Sequence, residues 1–99
     1  MKPLQIAALA SEELREAVKW YDERRPGWGA KLFDAVCHTI ELILAHPEIG
    51  EQRRGKEANR QLRVLGFPYI VACRLRDSDL YIVAVADTSR RPGYWMSRR

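Results

Sequence analysis

Cysteine is scarce in this chain of 99 residues. Cys37 and Cys73 are the only two, and neither has companion ligands at a metal-binding spacing. Both fall inside apolar-periodic segments, so they read as reduced core residues of a cytoplasmic protein. Histidine is equally rare, with His38 and His46 on or beside a single helical stretch. No serine, cysteine and histidine set suits a nucleophilic triad, and no glycine-rich loop cradles phosphate. Chemistry would then fall to arginine and tyrosine, and arginine stays protonated near neutral pH and makes a poor base. No catalytic residue, metal or cofactor is therefore assigned. No apolar run approaches the roughly 20 residues that cross a bilayer, and the N-terminus lacks a signal-peptide pattern. Repeats and low-complexity stretches are also missing.

What is present fits one domain spanning residues 1–99, with 46% hydrophobic residues, an ordinary share for a globular protein. The net charge of +4 is unevenly placed. Residues 1–48 carry eight acids and six bases, whereas residues 49–99 carry five acids and eleven bases. Such asymmetry points to an acidic partner or polyanion meeting the C-terminal half. Residues 90–99 concentrate the signal, with four arginines, Tyr94 and Trp95, and no acid. Aromatic rings supply contact area and guanidinium groups supply directed hydrogen bonds, as at a docking edge. The alternative is that Trp95 pins the C-terminus to the core beside solvated arginines.

Along the chain, residues 3–8 suit a short edge strand. Ser11 offers a helix N-cap, with Glu12 and Glu13 in the first turn where the helix dipole favours negative charge. Leu14, Ala17, Val18 and Tyr21 follow on one helical stripe, and Pro26-Gly27 stops it. A second helix starts near Trp28, carries Phe33, Val36, Cys37, Ile40 and Leu44 on a stripe widened by Leu32 and Ile43, and ends at His46 before Pro47. The short connection implies an antiparallel helical hairpin. Residues 48–59 read as a polar loop. Three β-type runs follow at 60–65, 69–75 and 80–86, separated by turn chemistry that suits antiparallel hairpins. The last is apolar on both faces, which makes it central.

The expected fold is α+β in two layers, with the helical hairpin packed on one face of a mainly antiparallel sheet. Leu14, Val18, Phe33, Val36, Ile40, Val71, Ile82 and Ala84 are the expected core. Arg53, Arg54, Lys56, Arg60 and Arg63 cluster around the first of the three runs. They read either as a solvated face or as a target-binding surface that borders Arg90 and Arg91.

The succession Tyr21…Arg24…Ala30-Lys31-Leu32-Phe33 and His46-Pro47-Glu48-Ile49-Gly50 resembles the helical hairpin of ParE-type toxins. Arg60-Gln61-Leu62-Arg63-Val64, Phe67-Pro68-Tyr69-Ile70-Val71 and Ala84-Val85-Ala86 running into Arg90-Arg91-Pro92-Gly93-Tyr94-Trp95 extend the likeness over nearly the whole chain. It is similar to the ParE/RelE superfamily of type II toxin–antitoxin systems, closest to ParE-like toxins. The resemblance implies a β-α-α-β-β-β fold and a small cytoplasmic toxin neutralised by a cognate antitoxin. ParE-like members poison DNA gyrase; RelE-like members cut messenger RNA on the ribosome. Nuclease members commonly place arginine after the strand tyrosine, where this chain has Ile70. Many relatives place histidine after the last strand, where it has Asp87. An isoleucine cannot neutralise a phosphate and an aspartate repels one. The resemblance therefore favours a gyrase-directed toxin over a ribosome-dependent endoribonuclease or a general nucleic-acid-binding module. The expected target-binding residues are Arg60, Arg63, Arg90, Arg91, Tyr94 and Trp95.

Overall fold

The N-terminal strand leads into its helix with a single residue between them. In the computed structural model, which describes residues 3–46, 51–53, 59–76, 79–90, 93–96 and 98, strand β1 is Leu4–Ile6 and helix α1 is Ala8–Arg24. The helix starts three residues before the expected cap at Ser11. The Ala7 amide still pairs with the sheet, donating to the Ile82 carbonyl at 2.9 Å, while the Ala7 carbonyl already accepts from Ser11 at 3.0 Å. Ala8, Leu9 and Ala10 are strong helix formers and need no side-chain cap to begin the turn. Glu12 and Glu13 consequently sit beyond the first turn, which frees Glu13 for a different task.

Helix α2 (Trp28–Ala45) returns after a tight turn in which Gly27 takes a φ of 90°, a left-handed geometry that glycine adopts without steric penalty. Asp22 of α1 accepts the Gly29 amide at 2.8 Å and so caps α2 across the turn. Gly29 has no room to grow. A Cβ there would stand 2.6 Å from both the Val18 carbonyl oxygen and the Asp22 carboxyl carbon. On α2 the buried stripe is Leu32, Val36, Thr39 and Ile43, which keeps the Leu32 and Ile43 edge of the expected stripe and leaves out its Phe33 edge. Successive helical residues are about 100° apart, so Phe33 falls at the stripe's margin and is 48% exposed rather than buried. Leu14, Val18 and Ile40 are partly buried against the core. Cys73 is buried, and Cys37 is only half-buried.

The remaining elements are β2 (Glu51–Arg53), β3 (Asn59–Arg63), β4 (Tyr69–Leu75) and β5 (Leu80–Asp87). They join β1 in one sheet of order β1-β5-β4-β3-β2. Only the β1–β5 pairing is parallel. Strand β2 lies in the segment expected to be loop. Its polar sequence has no apolar alternation to signal a strand, and backbone hydrogen bonding to β3 requires none. The helices pack on one face, with α1 over β5 and α2 reaching β3 and β4.

A bulge sets which side chains reach the other face. Ala72 pairs with Ala84 and Cys73 with Ile82, leaving Val83 as the extra residue. Leu80, Ile82 and Val85 therefore face the helices, whereas Val83, Ala84 and Ala86 face away, as expected when a bulge shifts strand phase by one. The central strand is apolar on both sides because both sides are covered.

Candidate functional site

The second face of the sheet is closed by the C-terminal segment itself. Trp95 is 1% exposed and packs on Ala72, Val83, Ala84 and Ala86, small residues that leave room for an indole. Of the two roles considered for Trp95, the structure assigns the core one. A ring so fully covered offers no contact area to a partner, which corrects its place among the target-binding residues.

Polar contacts fasten the same segment at both ends. Arg74 is buried, unlike most arginines, and is satisfied by its partners. Its Nε donates to Asn59 Oδ1 at 2.7 Å and its Nη2 to the Met96 carbonyl at 2.9 Å. Glu13 of α1 gathers the rest. It accepts from the Tyr94 hydroxyl at 2.7 Å, from both terminal nitrogens of Arg98 at 2.8 and 3.2 Å, and from the Val85 amide at 3.2 Å. Strand β1 ends opposite Ile82, so the carboxylate takes the place of a strand neighbour for Val85. Burial, then the Glu13 hydrogen bond and charge, push the Tyr94 phenol up to about 12. The Glu13 hydrogen bond also raises Arg98 above the usual arginine range. This clasp holds its protons through the physiological range. Burial pushes the Cys73 thiol up to about 11, which keeps it an inert thiol.

Arg90 points to a different use. It is exposed, and its guanidinium lies 4.2 Å from the centre of the Tyr94 ring, a cation–π arrangement. Arg63 and Arg90 meet at a recess of about 210 Å³, whose walls include Gln61, Ile70, Asp87, Thr88 and Tyr94. Side chains alternate along a strand, so Asn59, Gln61 and Arg63 share this face. Arg60 pairs with Cys73 and lies on the helix side, apart from the recess. The expected grouping of Arg60 with Arg63 and Arg90 is corrected by that alternation. Arg91, Arg54 and Lys56 lie outside the described residues, and of the side chain of Arg53 nothing is described.

Asp87 is committed to the turn that carries Arg90. Its Oδ1 accepts the Ser89 amide and hydroxyl, both at 2.8 Å, an aspartate-capped turn. Among the described residues lining the recess, Asp87 is the one carboxylate and none is histidine. The Tyr94 hydroxyl is taken by Glu13.

The family described as "ParE toxin of type II toxin-antitoxin system, parDE" matches residues 4–92. The chain belongs to this ParE toxin family. Among solved structures it is similar to a chain from the "Chromosomal ParDE TA system from P. aeruginosa", with 16% identity and a TM-score of 0.77, covering 88% of this chain and 96% of that one. At that identity the likeness shows a shared fold. No curated protein matches the chain. Relative to the ParE match, Arg63, Ile70, Asp87 and Arg90 fall inside the matched span, whereas Tyr94, Trp95 and Arg98 lie past its end.

Of the residues expected from the sequence, Arg63, Arg90 and Tyr94 come together at the recess, whereas Glu13, Asn59 and Arg74, which fasten the C-terminal segment, were not among them. One signal was available for Arg74: a lone arginine inside the apolar run Val71-Ala72-Cys73 and Leu75 implies a buried partner. Glu13 had no such signal, because its partners lie 72 to 85 residues away.

Proposed function

We propose that this ParE toxin acts in the cytoplasm on DNA gyrase and is silenced by a cognate antitoxin. Arg63, Arg90 and the rim of Tyr94 form the target-binding surface, with Arg91 beside them in sequence. The observation that carries this reading is the wall of the recess between Arg63 and Arg90. Ile70, where nuclease relatives commonly place arginine, and Asp87, where many relatives place histidine, both line it. A phosphodiester cleaved there would meet an apolar side chain at Ile70 and a like charge at Asp87, and the one carboxylate among the described lining residues is already holding a turn. Two forked guanidinium groups beside an aromatic ring suit carboxylates of a protein target. The antitoxin is expected to lay an amphipathic segment on the hairpin or sheet and to bring acids to the basic half, so its affinity falls as salt rises.

The test adds purified toxin to gyrase supercoiling reactions and, separately, to translating ribosomes. Inhibited supercoiling that is relieved by the antitoxin, with messenger RNA intact, is the expected result. Site-specific cleavage in the ribosomal A site overturns it.

A further inference from the structure

On the helix side of Tyr94, between α1 and β5, lies a second and larger cleft of about 370 Å³. Its lining differs in chemistry from the arginine recess. Trp20, Tyr21, Tyr69 and Tyr94 supply aromatic rings, and Glu13, Glu16 and Asp87 supply carboxylates, against one cation among the described lining residues, Arg90. We propose that this cleft is a binding site for an arginine side chain presented by a protein partner. The cleft shares Asp87, Arg90 and Tyr94 with the basic recess and opens on the α1 side of them, and the proposal does not depend on the gyrase reading.

Three observations support that ligand. First, the volume is at the low end of the roughly 300–1,000 Å³ typical of small-molecule sites, which suits an inserted side chain. Second, the cleft walls match a guanidinium. Arg24 already lies 3.6 Å over the Trp20 ring, and one guanidinium covers only one of an indole's two faces. Trp20 is 47% exposed despite this contact. Third, the charges leave a deficit. Arg98 neutralises Glu13, but Glu16 is exposed and enters no ion pair among the described residues. Asp87 spends one oxygen on Ser89 and also has no ion pair among the described residues. Both phenols are raised first by burial, and Asp87 beside Tyr69 and Glu13 beside Tyr94 add to it. A forked cation stacked on rings and facing two carboxylates gains both cation–π and charge-assisted contacts.

The experiment is an NMR titration of the purified full-length chain with N-acetyl-arginine amide, using N-acetyl-norleucine amide and spermidine as comparison probes. Saturable shifts of the Trp20 indole N–H and of the Val85 and Asp87 amides are expected with the arginine probe. Trp20→Ala should weaken them about 5-fold and Glu16→Gln about 2- to 5-fold. Both positions are exposed, so both variants fold, which the spectra themselves verify. Equal affinity for the norleucine probe would make the cleft merely apolar and overturn the proposal. So would arginine-induced shifts confined to residues around Arg63 and Thr88. Tighter binding of spermidine than of the arginine probe would overturn a protein side chain as the source.

Discussion

Removing Glu13 should unfasten the C-terminal segment, and its size can be worked from the contacts. Glu13→Ala deletes the acceptor of the Tyr94 hydroxyl, both Arg98 nitrogens and the Val85 amide. Hydrogen bonds to charged groups contribute about 1.5–3 kcal/mol when well shielded. The Arg98 and Glu13 side chains are 19% and 18% exposed, so solvent screening moves this pair toward the lower figure. The Val85 amide, left without its acceptor, adds about 1 kcal/mol. These contributions share one carboxylate and do not add fully, which gives about 2–4 kcal/mol. In a domain near 100 residues each kcal/mol shifts the melting temperature by about 4–8 °C. A fall of roughly 10–25 °C is therefore expected on the same scale.

The assay is thermal unfolding by circular dichroism on Glu13→Ala, Arg98→Ala and the double variant. Arg98→Ala should lose about 1–2 kcal/mol, and the double variant should lose less than the sum, because both changes remove one pair. A Glu13→Ala melt indistinguishable from the parent would refute the clasp. Strict additivity in the double variant would refute the direct pairing with Arg98.

Three further outcomes are expected. Trp95→Ala should lower stability by about 3–5 kcal/mol in urea unfolding, since it opens a cavity over Ala72, Val83 and Ala84. Gly29→Ala should destabilise by about 1–3 kcal/mol despite alanine's better helix propensity, because the new methyl overpacks against the Val18 carbonyl; a stabilised variant in the same assay would refute that contact. Raising the pH should erode stability as the unfolded chain begins to lose the Tyr94 and Cys73 protons that the folded chain retains up to about 12 and about 11. The sign follows from raised folded-state pKa values: stability is full below about 9 and is lost through that interval. The advantage of the parent over Tyr94→Phe should shrink there, as read from melts at pH 9 and pH 12.

Much of the fold was legible because its signals are local. The stripe of α1, the Pro26-Gly27 stop and the turn before Tyr69 each depend on neighbours within a few residues. The errors share a different origin. Phe33 and Leu32 are adjacent on the helix surface, and only the position of the sheet decides which of them is covered. Strand β2 is recruited by the edge of β3 and leaves no trace in its own side chains. Arg60 and Arg63 look alike in a list of basic residues, yet their spacing of three puts them on opposite faces of a strand. That alternation could have been applied from the sequence. The phase shift at Val83 could not, since a bulge is defined by the partner strand.

The last ten residues look in sequence like a single basic and aromatic edge, yet they divide into two functions that one experiment must keep apart. Trp95 and Arg98 hold the segment in place, while the Arg90 side chain stands outside, stacked on Tyr94. Deleting residues 90–99 would abolish toxicity under either role, because it strips the cover from Val83, Ala84 and Ala86 as well as removing the cation. A point change separates them. Arg90→Ala removes an exposed side chain, so its unfolding free energy should stay within about 0.5 kcal/mol of the parent. If Arg90 meets a carboxylate of the target, the same change should weaken gyrase inhibition by roughly 10- to 100-fold, the equivalent of a charge-assisted hydrogen bond. Growth inhibition and melting temperature measured on this one variant decide the matter. Undiminished toxicity with an unchanged melt would mean that the arginine recess is not where the target binds.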